Sequence, residues 1–165
     1  MPQWQRDKAQ SDRLLPELKR ICGEYLIGAA PEEDDAERNT DLIVLKLEAV
    51  RIACRVRTHK YLRRYGNEFT IRSDRPRGTK TELAKIIEGW GDYFLYGFSN
   101  ESGTSLDVWV LGDLKVFRLW FASQLIKNKG EMPGSEQRND DGSSLFRAFR
   151  IDELPDSFVK ARKQA

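Results

Sequence analysis

Residues 41–57 read DLIVLKLEAVRIACRVR, and this stretch decides the fold that the sequence predicts. Residues 40–47 form an almost unbroken apolar run, which is typical of a buried strand. Residues 50–58 instead alternate, with Val50, Ile52, Cys54 and Val56 on one face and Arg51, Ala53, Arg55 and Arg57 on the other. Such alternation places one face of a strand in a core and leaves the other on an open surface. We therefore predict two adjacent strands, the second of which carries an arginine face.

The charges of the chain are divided along its length. Residues 24–48 hold eight acidic and two basic side chains, whereas residues 51–85 hold eleven basic and three acidic ones. A basic excess on one strand face and its neighbouring loops favours a nucleic-acid groove. The predicted groove comprises Arg55 together with Arg51, Arg57, Lys60, Arg63, Arg64, Arg72, Arg75, Arg77 and Lys80.

Two other interpretations explain the same arginine face. The acidic segment 32–37 can pair internally with Arg51, Arg55, Arg57 and Arg72, which requires no ligand. Alternatively, the face docks on an acidic protein partner. The neighbouring Tyr61 and Tyr65 are expected to be packing residues rather than platforms for bases.

The composition is that of one ordinary globular domain, with 165 residues, 39% of them hydrophobic and 33% charged. No apolar run reaches the roughly 18 residues that would indicate a membrane span, and the N-terminus is too polar for a signal peptide. Cys22 and Cys54 are expected to be buried thiols in a reducing compartment, hence a cytoplasmic protein. A single histidine, His59, leaves too few ligands for the usual zinc and Ser-His-Asp sites.

The remaining pattern predicts an α+β domain with a single mixed central β-sheet flanked by helices. A flexible segment 1–10 precedes a helix that begins at Ser11 or Asp12 and includes Pro16 near its start. The main domain is expected to cover residues 11–128, followed by a loop at 129–144 and a strand and helix within 145–165 that pack on the same domain. The other predicted elements are a strand at 68–73, a helix at 80–88, strands at 92–98 and 106–111, a helix capped by Asp113, a strand at 145–151 and a short helix after Pro155.

This order of elements resembles the core of the PD-(D/E)XK nucleases, the restriction-endonuclease-like superfamily. In that family an Asp opens the second strand and a (D/E)-x-K triplet lies on the third. The resemblance, over about residues 11–98, matches Asp41 to the metal-binding Asp and places Ala53-Cys54-Arg55 at the triplet. It implies that Asp41 and Arg55 are catalytic and that Mg²⁺ or Mn²⁺ is the cofactor.

The triplet departs from the family pattern, because Ala53 cannot bind a metal and arginine does not act as a base. A metal beside Asp41 would then need Glu24, or Glu17, from the first helix. In a second register, Asp113-Leu114-Lys115 supplies a literal D-x-K, with Glu82 and Asp92 upstream. Helix capping explains Asp113 and Glu82 equally well, the latter through a capping box at residues 79–82.

The resemblance therefore implies a metal-dependent DNA nuclease with an atypical site. An inactive relative that only binds DNA is the first alternative, and the interaction protein described above is the second. The expected partner is DNA, duplex or single-stranded, with no membrane involved, and the pattern allows a homodimer. A phage or mobile element would suit a small domain of this kind.

Overall fold

The computed structural model describes residues 3–26, 28–29, 42–43, 50–74, 80–138 and 144–164, which form α-helices and β-strands in mixed order. The helices are α1 (Gln3–Leu26), α2 (Leu62–Tyr65), α3 (Glu82–Ile87) and α4 (Leu114–Lys127). The strands are β1 (Gly28–Ala29), β2 (Leu42–Ile43), β3 (Ile52–Arg57), β4 (Glu68–Asp74), β5 (Tyr93–Ser99), β6 (Leu106–Asp113), β7 (Ser135–Arg138), β8 (Leu145–Arg150) and β9 (Val159–Lys163). Short 3-10 turns cover His59–Tyr61, Ile151–Glu153 and Asp156–Phe158.

Two sheets carry the core. The first has four strands in the order β3-β5-β6-β9, and the second has three in the order β4-β8-β7. The first sheet is mixed, because β3 runs parallel to β5 while β6 is antiparallel to both β5 and β9. The predicted α+β class with a mixed sheet and flanking helices is confirmed. The prediction of a single sheet is wrong, because β4 carries Phe69 and Ile71 into the core over β5 and pairs with β8 instead.

The β5–β6 hairpin is buried on both faces, between α1 on one side and the second sheet and α4 on the other. On one face, Leu95 and Leu111 belong to a cluster with Leu14, Leu18 and Ile21 of α1. On the other face, Phe94, Tyr96 and Phe98 of β5 pack in a larger cluster with the second sheet and α4. The predicted strands at 92–98 and 106–111 correspond to β5 and β6. Their nearly continuous apolar runs indicate a strand that is covered on both sides.

Phe69 lies at the centre of the larger cluster and is 1% exposed. Its ring centroid lies 5.6 Å from that of Phe94, 5.9 Å from Phe117, 5.5 Å from Phe149 and 5.5 Å from Phe158. These rings come from both sheets, from α4 and from the turn Asp156–Phe158. Since burying one such side chain contributes about 1.5–3 kcal/mol, this cluster holds distant parts of the chain together.

The alternation of residues 50–58 is confirmed at Ile52 and Val56, which pack with the α1 cluster, while Arg55 points towards the second sheet. Its expected neighbour at residues 40–47 lies mostly outside the described residues. Strand β3 pairs with β5, and Leu42–Ile43, within the predicted first strand, pairs with Gly28–Ala29. The rest of that strand, including Asp41, lies outside the described residues, as does the acidic segment 32–37.

Four other predicted elements differ. Helix α1 begins at Gln3, supported by an ion pair of 3.0 Å between Lys8 and Asp12, so that Pro16 lies in its interior. Strand β7 lies inside the predicted loop 129–144. Strand β8 extends to Arg150 and lies between β4 and β7 rather than at an edge. The helix predicted after Pro155 is a 3-10 turn followed by β9, because β6 offers its backbone as a partner there.

Both cysteines are free thiols. Burial raises the pKa of Cys22, which is partly exposed. The prediction that Cys54 is buried is wrong, because this residue is exposed on β3. Even so, the protein atoms around its sulfur, together with nearby Cys22, raise the pKa of Cys54 to about 11.

We expect Gly112→Ala to destabilise the fold. A β-carbon on Gly112 would overlap the ring of Phe158, whose side chain is fully buried. Overpacking of this kind costs typically about 1–3 kcal/mol. The matched control is Gly23→Ala in α1, where a β-carbon meets no atom within 4 Å among the described residues. That variant should be neutral or more stable by up to about 1 kcal/mol. Urea unfolding of both variants checks the difference, and a similar loss in both would contradict it.

Candidate nucleic-acid interface

Arg55 lies where β3 faces the second sheet. Its Nη1 donates to Glu82 Oε2 at 2.8 Å and to the backbone oxygen of Thr70 at 3.4 Å. Its guanidinium carbon lies 4.7 Å from the ring centroid of Phe146. The side chain is 19% exposed, and burial lowers the pKa of Arg55, an effect that the carboxylate of Glu82 opposes. Because the ordinary pKa of arginine is so high, this group stays a cation at neutral pH.

Arg72 on β4 lies on the same aromatic ring. Its guanidinium carbon is 5.4 Å from the centroid of Phe146, and its Nε is buried without a partner among the described residues. Its backbone N–H donates to Glu82 Oε2 at 3.3 Å. One carboxylate oxygen of α3 therefore holds a side chain of β3 and the backbone of β4 together.

Glu82 takes this position because Thr81, not Thr79, is the N-cap of α3. The Thr81 hydroxyl accepts from the backbone N–H of Ala84 at 3.2 Å. Glu82 is thus the first helical residue, and the predicted capping box at residues 79–82 is wrong. Its carboxylate instead accepts from Arg55 on β3 and from the backbone N–H of Arg72 on β4.

The next cations are held over aromatic rings rather than by carboxylates. The guanidinium of Arg57 lies 4.7 Å from the ring centroid of Tyr61, and the ammonium of Lys60 lies 4.9 Å from the same centroid. Arg64 lies 5.2 Å from the ring of Tyr65. In the part of the chain that the structure describes, none of these three cations forms an ion pair. Their charge is therefore not neutralised by a described acidic residue.

Beside these arginines lies a polar cavity of about 140 Å³. At its wall, the hydroxyls of Thr70 and Tyr96 are 3.2 Å apart, and both residues are buried. Among the described residues, two arginines and no acidic residue line it, so that part of the lining is electropositive. The lining residues are Arg57, Tyr61, Tyr65, Thr70, Tyr96, Phe98, Gln137, Arg138 and Phe146.

Other predicted groove residues take different positions. Arg51 lies 5.8 Å from the ring of Trp90, on the side of β3 where an apolar groove of about 400 Å³ opens. Lys80 is paired with Glu88 at 2.7 Å. Arg63 is exposed on α2, next to Arg64. Arg75 and Arg77 lie outside the described residues.

The predicted metal ligands are not assembled by the described residues. Asp41 is outside them, while Glu24 and Glu17 are both bonded to Arg20, at 2.8 Å and 3.0 Å. Within the described ranges, no group of three His, Cys, Asp or Glu side chains could hold a metal ion.

Glu82, Asp92 and Asp113, the carboxylates of the alternative D-x-K match, do not form a metal-binding group either. Asp92 accepts from the backbone N–H of Arg51 at 2.7 Å. Asp113 caps α4, accepting from the N–H of Lys115 at 2.8 Å, and pairs with Lys160 at 3.2 Å. Glu82 is engaged with Arg55, as described above. The capping explanation is therefore confirmed for Asp113, and the side chain of Lys115 lies on an exposed helix position.

Sequence reasoning missed Thr70, Tyr96, Phe146, Gln137 and Arg138 as members of the site. Tyr96 stands in the largely apolar strand β5, and Thr70 stands between the apolar Phe69 and Ile71 of β4. A buried hydroxyl at such a position needs a partner or a ligand. That local signal could have drawn attention to them. Gln137 and Arg138 fell in a predicted loop, so no pattern placed them opposite the arginine face. Tyr61 and Tyr65 do pack on the core, as expected, and they line the cavity as well.

No family model, curated protein or solved structure matches this chain. Among the described helices, none is both long and apolar enough to cross a bilayer.

We expect Glu82→Ala to destabilise the fold by about 1–2 kcal/mol, because the half-buried guanidinium of Arg55 and the N–H of Arg72 both lose their acceptor. The control is Glu88→Ala, which removes the pair with Lys80, whose side chains are 42% and 66% exposed. Exposed pairs contribute about 0–1 kcal/mol, so the control should change little. Urea denaturation measures both variants, and equal losses would show that the Arg55–Glu82 pair has no special role.

Proposed function

We propose that this domain binds nucleic acid, with Arg55, Arg57 and Arg72 facing the phosphate backbone. The observation that carries the proposal is the arginine cluster itself. Three guanidinium groups lie on β3 and β4. Among the described residues, Glu82 is the one carboxylate that pairs with any of them, and it pairs with that of Arg55. A polyanion opposite these groups would complete the charge balance of the site.

The aromatic support of the arginines favours phosphate as the ligand. The guanidinium groups of Arg72 over Phe146 and of Arg57 over Tyr61 form no ion pair with a described carboxylate. Planar, oriented guanidinium groups match the geometry of phosphate oxygens. A second row of cations, comprising Lys60, Arg63 and Arg64, continues from the cavity along the exposed turn and α2. Such a row could follow a phosphate backbone, whereas an acidic protein partner would need matched carboxylates.

The nuclease chemistry that the resemblance implies depends on residues outside the described part of the chain. Metal-dependent cleavage needs carboxylates that hold Mg²⁺ or Mn²⁺. Asp41 is not described, and the described carboxylates form no group of three that could hold a metal. The restriction-endonuclease-like core remains part of the proposal only as the framework that would bring Asp41 towards Arg55. Binding is the function that the described geometry supports best.

We expect binding to duplex DNA to weaken steeply with salt. Each neutralised phosphate adds about −0.9 to the slope of log K against log salt, so about five contacts give a slope near −4 to −5. The double variant Arg63→Ala, Arg64→Ala should reduce the steepness by about 2. Lys115→Ala, Lys127→Ala removes the same charge from α4, does not touch the cavity lining and should leave the slope near that of wild type. Fluorescence anisotropy between 50 and 300 mM salt provides the measurement. Binding to DNA that is weak and flat with salt would favour an acidic protein partner.

We expect binding in EDTA to be at least as tight as in Mg²⁺, because the proposed contacts come from side-chain cations and not from a metal, and Mg²⁺ competes with these cations for phosphate. The same samples also test cleavage with Mg²⁺ and Mn²⁺. Cleavage that Asp41→Asn abolishes, while binding stays equal or becomes tighter, would establish the nuclease activity that the resemblance implies. Binding that requires a divalent ion would contradict the contacts proposed here.

A further inference from the structure

We propose that the polar cavity between the two sheets receives one unpaired nucleobase of the bound DNA, which rests on the nucleic-acid binding proposed above. Its volume of about 140 Å³ is suited to one small ring. For comparison, an engineered protein cavity of about 150 Å³ binds benzene. A pyrimidine therefore fits the enclosed part, whereas a base pair does not.

The walls of the cavity suit stacking. The rings of Tyr61 and Tyr65 have centroids 6.4 Å apart, and Phe146 lines the cavity as well. The guanidinium of Arg57 lies 4.7 Å from the ring centroid of Tyr61, and both residues line the cavity. Aromatic rings and guanidinium planes are the groups on which proteins stack extruded bases. A phosphate alone would gain little from these rings, so the lining favours a base over an anion.

The polar groups of the cavity suit the hydrogen-bonding edge of a base. Thr70 and Tyr96 are 5% and 3% exposed, and one hydroxyl donates to the other. Each hydroxyl has one proton and two lone pairs, so one proton and several lone pairs have no partner among the described residues. Gln137 adds an amide with both donors and an acceptor. A base edge likewise carries both donors and acceptors, which these groups can satisfy together.

The position of the cavity also agrees with a base attached to a backbone. Arg57 belongs both to the arginine cluster and to the cavity lining, and Arg138 lines it from β7. A base entering the cavity would bring its own and the next phosphate close to these cations. The arginine cluster and the cavity thus become two parts of one binding surface.

The experiment compares three DNA duplexes that differ at one position: fully paired, with one bulged thymidine, and with one bulged abasic site. Stacking of a base on protein rings contributes enough to expect wild type to prefer the thymidine bulge over the abasic bulge by about tenfold. Gln137→Trp should fill the cavity from its rim and abolish this preference, so that the thymidine and abasic bulges bind equally. Glu136→Trp places the same ring on the neighbouring residue of β7, which does not line the cavity, and should keep the preference.

A second variant tests the hydroxyls without changing the rings. Tyr96→Phe should reduce the preference for the thymidine bulge several-fold, measured as the ratio of the affinities for the thymidine and abasic bulges. Equal affinity of wild type for the thymidine and abasic bulges, with salt-dependent binding to all three duplexes, would overturn the cavity assignment and leave the proposed function intact. Loss of the preference in Glu136→Trp as well as in Gln137→Trp would also overturn it. Absence of binding to every duplex would overturn both proposals together.

Discussion

Burial of both faces of the β5–β6 hairpin is the constraint on which the described architecture depends. Helix α1 covers one face through Leu14, Leu18 and Ile21, while the phenylalanine cluster around Phe69 covers the other. The second cover requires β4 and its sheet to lie over the hairpin rather than beside it. That arrangement leaves the flank of β5 open to β3, which joins in parallel register from Ile52 opposite Tyr93 to Arg57 opposite Phe98.

The arginine cluster follows from this layering. With the apolar face of β3 towards α1, its polar face must look towards the second sheet, where β4 presents Arg72 and Thr70. Glu82 provides a single carboxylate for both strands, at 2.8 Å from Arg55 and 3.3 Å from the backbone N–H of Arg72. Aromatic rings hold the other guanidinium groups in place. Since the rings add no negative charge, the site is rigid and still positive, which is the combination that a polyanion requires.

The cavity is lined by residues of both sheets and lies beside the phenylalanine cluster. Polar groups take the place of phenylalanines there: Thr70 on β4 next to Phe69, and the hydroxyl of Tyr96 between Phe94 and Phe98. The two hydroxyls bond to each other, and together they keep a further donor and further acceptors, which suits a polar occupant of the cavity. Contacts with the DNA backbone would then provide affinity, and the contact with the base would provide selectivity.

Local sequence determined those features that a short segment can specify by itself. The alternation at Ile52 and Val56, the apolar runs of β5 and β6, and the cap of α4 at Asp113 were all predictable, because each depends on a period or on a hydrogen bond within a few residues. The partners of the strands were not. An alternating pattern shows which face of β3 is apolar, but it does not show that β5 supplies the hydrogen bonds, that β4 turns to β8, or that residues 135–138 and 159–163 extend the sheets. The same holds for the site. The alternating arginines of β3 could be identified from the sequence alone. Their ion pair with Glu82, the rings beneath them and the cavity at Tyr96 were decided only by the tertiary structure, because these contacts join strands and helices that are distant in the chain.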